Sequence, residues 1–319
     1  MTSHTLGRSS TPGVDHFPHL AGHLSRIATA ARAAPAFRWV ARKPGLDDRS
    51  WRPFRGPVER LYHPNIRGCC PRVASVKPFL LLAIRAEAIA ADEEYAAMLR
   101  CTGLDERQLR RVRLEQGPLE PVDLDYWSGI VLGGGPFQAS DPERAKSATQ
   151  RRVEADLAAL LDHVVQHDFP FLGACYGIGT LGLHQGAVVD RAYGEPIGGT
   201  FIELTPEGWQ DPLLQVAGSP FGAYVGHKEA IRTLPPHAVS LASSRSCPVQ
   251  AFRVGSLVYA TQFHPELDLA GLATRIQTYR YAGYFAPEQA DAVLAAARAS
   301  GVTETPNLLG RFVELFARD

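Results

Sequence analysis

A cysteine stands between two glycines in the stretch FLGACYG, residues 171–177. The apolar run before it predicts a strand and the segment after it a helix, which puts Cys175 on a sharp turn between the two. Such a turn lifts a side chain off the sheet edge, and Gly173 and Gly177 remove Cβ atoms that the turn would press together. The N–H groups that open the following helix favour a thiolate and can donate to an oxyanion. These residue types suit a nucleophile, and they also suit a small buried cysteine in a tight turn.

A thiol nucleophile needs a base, and the chain offers eleven histidines. His264 closes the apolar stretch LVYATQFH (257–264), with Glu266 two residues on. In extended backbone, residues two apart point the same way, so Glu266 can hold the imidazole and stabilise its protonated form. Acyl transfer also needs donors for the oxyanion. GGGP at 133–136 ends another predicted strand, and the backbone N–H of Gly135 pairs naturally with that of Tyr176. Pro136 has no N–H to give. The loop lacks the Lys-Ser/Thr of a phosphate-binding Walker motif.

The elements that would position these residues alternate from Val76 onward. Strands are expected at 80–84, 110–115, 127–136 and 170–174, with an amphipathic helix at 87–100 that turns Ile89, Tyr95, Met98 and Leu99 inward. A long helix is expected from Asp141, as N-cap, with Pro142 at N1, to about His167. Strands then crowd together at 198–205, 224–231, 238–244, 249–255 and 257–264, before helices near 268–282, 287–299 and 306–317. The expected fold is α/β: a mostly parallel central sheet with helices on both faces and a small antiparallel strand patch. Cys101 and Cys247 read as buried or half-buried residues. Tyr126 and Trp127 read as packing near the glycine turn, and Tyr279, Tyr281, Tyr284 and Phe285 mainly as core.

GGGP, GACYG (173–177) and HPE (264–266), in that order, resemble the class I, triad-type glutamine amidotransferases over about 76–268. The resemblance implies a flavodoxin-like fold, a catalytic triad of Cys175, His264 and Glu266, and an oxyanion hole from Gly135 and Tyr176. It implies hydrolysis of the glutamine side-chain amide through a γ-glutamyl thioester, with no cofactor and no metal. CYG and the GHKE at 226–229 are similar to stand-alone domains akin to the glutaminase part of GMP synthase, which implies that Gly134 and His227 border the substrate. The family's glutamine four residues after the cysteine is replaced by Gly179. One lost hydrogen bond is worth about 1 kcal/mol. The glycine is expected to leave room for a different or bulkier amide, so a γ-glutamyl amide or peptide hydrolase stands as the alternative. About fifty residues follow HPE and read as helices, so the resemblance implies ammonia transfer to a separate ATP-dependent synthase subunit.

Composition sets outer bounds. The 319 residues are 45% hydrophobic, with 33 basic and 33 acidic side chains, a balance that points to neither nucleic acid nor membrane as partner. No apolar run is long enough to span a bilayer, and the N-terminus, without an apolar h-region, does not read as a secretory signal. Five scattered cysteines fit a reducing cytoplasm. Residues 1–75, rich in arginine, proline and glycine, are expected to be a disordered extension. Val76 begins the folded pattern and is a candidate for the true start, with 76–319 as the amidotransferase domain and its C-terminal helices.

Overall fold

The computed structural model describes residues 76–303 and 305–319, so the expectations for 1–75 fall outside the described residues. The strands are β1 (Phe79–Ala83), β2 (Leu109–Arg113), β3 (Gly129–Leu132), β4 (Phe171–Ala174), β5 (Val188–Asp190), β6 (Glu195–Leu204), β7 (Phe221–His227), β8 (Ala230–Thr233), β9 (Val239–Ser244), β10 (Ala251–Val254) and β11 (Val258–Thr261). The helices are α1 (Ala88–Thr102), α2 (Ala148–Gln166), α3 (Tyr176–His184), α4 (Pro206–Gln210), α5 (Leu269–Thr278), α6 (Ala290–Ala299) and α7 (Leu308–Phe316). Among the described residues, no helix is long and apolar enough to cross a membrane.

One nine-stranded sheet runs in the order β2-β1-β3-β4-β11-β10-β9-β6-β7. The five strands from β2 to β11 are parallel neighbours. From β11 onward the pairings are antiparallel and extend the same sheet. Parallel strands are covered on both faces, which is why β1 reads FLLLA without a polar break. Its side chains alternate across the sheet. Leu80 and Leu82 pack with Leu157 and Leu161 of α2 and Leu181 of α3. Phe79 and Leu81 pack on the other face with Met98 of α1 and Leu309 and Phe312 of α7.

Several expectations need correction. Ile89 is 73% exposed; the buried side of α1 holds Ala90, Ala91, Glu94, Ala97 and Met98. Small residues and a carboxylate take that side because Glu94 pairs there with Arg85. Asp141-Pro142 opens no α-helix. Pro142 is extended, a single 3-10 turn follows, and α2 is capped by Ser147, whose hydroxyl accepts from the Gln150 N–H. The stretch 224–231 is two strands, broken at Lys228 and Glu229, and β8 pairs instead with the unforeseen β5. β11 stops at Thr261, so His264 and Glu266 lie beyond it, in an isolated bridge and a turn rather than in the strand. Tyr281 is 84% exposed while Tyr279 is buried.

The elbow at Cys175 is strained and closely packed. Cys175 holds φ 54° and ψ −93° immediately before α3, a region that residues with a Cβ rarely enter. Its N–H donates to the Thr261 carbonyl at 2.8 Å, which pins the elbow to the end of β11. A Cβ on Gly173 would lie 2.9 Å from the Gly177 backbone, whereas one on Gly177 meets nothing closer than 3.4 Å. Only the first glycine is sterically forced. Gly173→Ala is therefore expected to cost about 1–3 kcal/mol by opening the elbow, while Gly177→Ala costs less; urea denaturation of both variants checks the ranking.

Candidate active site

Four adjacent parallel strands, β1-β3-β4-β11, release at their carboxyl ends Arg85, the glycines 133–135, Cys175 and His264 respectively. Open α/β sheets gather ligands at this edge. The contacts there are tight. A Cβ on Gly134 would fall 2.5 Å from His264 Cε1, 3.1 Å from Arg85 Nη2 and 3.3 Å from Cys175 Cβ. Gly134 is thus the floor on which imidazole, thiol and guanidinium meet, and only a bare backbone leaves room for all three. Gly135 packs under Ile84, where a Cβ would come too close, and borders the cavity in front of Cys175. Tyr176 begins α3, so its N–H has no partner within the helix.

His264 Nδ1 lies 2.8 Å from Glu266 Oε1, with both residues buried. The same nitrogen lies 2.9 Å from Arg275 Nη1, and Arg275 Nη2 donates to Glu266 Oε1 at 2.7 Å. One nitrogen cannot donate to the carboxylate and accept from the guanidinium at once. With the proton on Nδ1, Glu266 takes it, Arg275 is left facing an N–H, and Nε2 carries the free lone pair. Burial alone would lower the His264 pKa; the Glu266 carboxylate and the Cys175 sulfur reverse this and push it up to about 9, with Arg275 opposing them. For Glu266, burial acts to raise the pKa, but His264 and Arg275 hold it well below the usual carboxylate range.

Other sequence-derived candidates arrive in altered roles. His227 lines the cavity beside Cys175, yet Nδ1 faces the Glu229 carbonyl at 2.8 Å and Nε2 faces Glu195 Oε2 at 2.9 Å, which spends both ring nitrogens. Glu195, His227 and Cys247 bring three metal-type donor atoms within 4.8 Å of one another. Glu195 also accepts from Ser246 and Gln250, so the protein's own hydrogen bonds already occupy that group.

The room expected beside Gly179 is taken. A Cβ there would stand 3.0 Å from Glu229 Oε1 and 3.4 Å from Ala139 Cβ. Glu229 accepts from the Ala139 N–H at 2.7 Å, the Ser140 N–H at 2.8 Å and the Ser140 hydroxyl at 2.5 Å. The carboxylate therefore latches the loop after β3 to the turn between β7 and β8. The side-chain vacancy at 179 serves this latch rather than a larger substrate.

Sequence reasoning missed Arg85, Glu94, Arg275, Glu229, Tyr279 and Tyr284. Two left a signal. Arg85 follows an apolar strand almost at once, and Arg275 interrupts the apolar stripe of α5 between Leu272 and Ile276. Glu94 has one partner nine residues away, Arg85, and one far along the chain, Arg275, while the side chains of Glu229, Tyr279 and Tyr284 meet distant residues.

A cysteine elbow, a glycine loop and a histidine on neighbouring parallel strand ends define an α/β enzyme of the amidotransferase kind. The fold is similar to that of a glutamine amidotransferase of Thermotoga maritima, with TM-score 0.60 and 21% identity over 75% of this chain and 97% of that one. The profile for "Glutamine amidotransferase class-I" matches residues 101–277. A glutamine-hydrolyzing GMP synthase subunit from Thermoplasma volcanium is 33% identical over 153 residues, 47% of this chain and 68% of that protein. Its counterpart in Thermococcus kodakarensis is 28% identical, over 47% and 72%. The chain belongs to the class-I glutamine amidotransferase family. The profile match stops short of Arg85 at one end and of Tyr279 and Tyr284 at the other.

Two outcomes are expected. His264 sits above the ordinary 6.5, so its protonated pair with Glu266 adds stability that is complete below 6.5 and lost as pH rises through about 9. Glu266→Gln removes the main raising partner, so this alkaline loss moves to lower pH; melting temperatures between pH 6.5 and 9 read the shift. Separately, Gly179→Gln is expected to cost about 1–3 kcal/mol by displacing Glu229. Combined with Glu229→Ala, it should cost less than the sum of the two by about 1 kcal/mol, as measured in a denaturant double-mutant cycle.

Proposed function

We propose that this protein hydrolyses the side-chain amide of glutamine, with Cys175 as nucleophile, His264 as acid and base, and Glu266 as the group that orients and charges the imidazole. The supporting observation is the meeting of imidazole and thiol over Gly134 with a buried carboxylate 2.8 Å behind the ring. Cys175 gives its proton to His264, and the sulfur attacks the amide carbonyl. The oxyanion faces the N–H groups of Gly135 and Tyr176. The C–N bond breaks as His264 passes its proton to the nitrogen, ammonia leaves, and a γ-glutamyl thioester remains. Water, deprotonated by His264, then releases glutamate and restores the thiol. Gly134 keeps the floor flat beneath the substrate, and His227 holds the cavity wall.

The ammonia is proposed to pass to a separate ATP-dependent synthase, because the GMP synthase relatives are themselves named as subunits. Cys175→Ala is expected to abolish glutamate release from glutamine, by at least about a thousandfold, without loss of the folded state. Release that persists in this variant would overturn the nucleophile assignment.

A further inference from the structure

Two cavities meet at Cys175. One is bordered by polar groups, among them Gln138, Tyr176, His227, Glu229 and Gln262. The other has an aliphatic wall of Ile197, Val225, Leu267 and Leu272, with Arg85 set into it. His264 borders only the second, and Tyr284 stands between the two. This arrangement orients the substrate, given the reading of the triad above. The acid that protonates the departing nitrogen must lie within hydrogen-bond reach of it. The nitrogen side of the scissile bond therefore enters the aliphatic chamber, while the acyl side lies with Tyr176 in the polar one.

Ammonia has no use for an aliphatic wall. The chamber also holds a cation with a free edge. Arg85 is 4% exposed; its Nε donates to Glu94 at 2.9 Å and its Nη1 to the Tyr279 hydroxyl at 3.2 Å. Its Nη2 has no hydrogen-bond partner among the described residues, and it shares the Gly134 floor with the imidazole. Arg275 also borders the chamber, but its Nη2 donates to Glu266 and its Nη1 is turned to the His264 ring. In an α-amino acid the carboxylate oxygens stand about 3 Å from the nitrogen, and His264 Cε1 and Arg85 Nη2 lie 2.5 Å and 3.1 Å from one point above Gly134. A buried guanidinium edge is a carboxylate receptor.

We propose that the aliphatic chamber is a leaving-group subsite for an apolar amino acid, so that the protein also cleaves γ-glutamyl dipeptides, with Arg85 holding the C-terminal carboxylate. In that reaction Cys175 sulfur bonds to the γ-carbonyl carbon and the bond to the amino acid nitrogen breaks. His264 gives its proton to that nitrogen, and the apolar amino acid departs. Water then hydrolyses the thioester to glutamate. Arg85, Tyr279 and Tyr284 lie outside the stretch of the chain matched by the family profile.

The test compares glutamine, γ-glutamyl-leucine and γ-glutamyl-isopentylamide, which has the leucine side chain and no carboxylate. The wild-type protein is expected to release leucine, with kcat/KM at least about tenfold above that for the isopentylamide. Arg85→Met is expected to bring γ-glutamyl-leucine down to the isopentylamide level. Because that substitution strips Glu94 of a partner, the wild-type comparison decides the matter if the variant does not fold. Cleavage of glutamine without release of leucine, or equal cleavage of the two substituted amides, overturns the subsite and leaves the triad standing. Failure to cleave any of the three overturns the triad reading and the subsite with it.

Discussion

The structure turns on a buried chain of alternating charges. Arg85 meets Glu94, Glu94 meets Arg275, and Arg275 meets Glu266, which meets His264. Each ion would be costly to bury alone, by several kcal/mol even after relaxation. Joined, they compensate one another, and the chain ties the end of β1, the middle of α1, the end of α5 and the turn after β11 into one unit. The imidazole inherits this order. Its position is set by the carboxylate and guanidinium that compete for a single nitrogen, and its raised pKa records which of them prevails.

The sheet supplies the remaining constraint. Parallel strands end on the same side, so residues far apart in the chain converge without any of them being neighbours in sequence. The antiparallel half then closes over this edge. Tyr224 of β7 forms a backbone bridge with His264, and the turn after β7 sends Glu229 back to hold the glycine loop. Lys228 in that turn donates to the Ala282 carbonyl and lies over the Tyr284 ring, which fastens the segment after α5 above the cysteine.

What the sequence makes legible is local. Cys175, the glycine loop and the His264–Glu266 pair announce themselves by spacing within a few residues, and strand–helix alternation sets the fold class. The expected helix start fails because Asp141-Pro142 has a cap composition, yet Ser147 supplies the cap hydrogen bond. The reading of Gly179 fails for a different reason. A missing side chain suggests empty space, but that space belongs to Glu229, brought in by a strand end that no local pattern predicts. Arg85 and Arg275 stay hidden because an arginine among apolar residues looks like an interruption until its buried carboxylates are known.

The one-sided placement of His264 has a kinetic consequence. In the proposed reaction the same imidazole must first acidify the departing amine and later deprotonate water, and it borders only the aliphatic chamber. Water can reach the acyl-enzyme only after the first product has vacated that chamber. The order of events is then imposed by architecture. The amine leaves first, glutamate leaves last, and a second amine that enters the emptied chamber before water can accept the acyl group, so the same groove sets the balance between hydrolysis and transpeptidation.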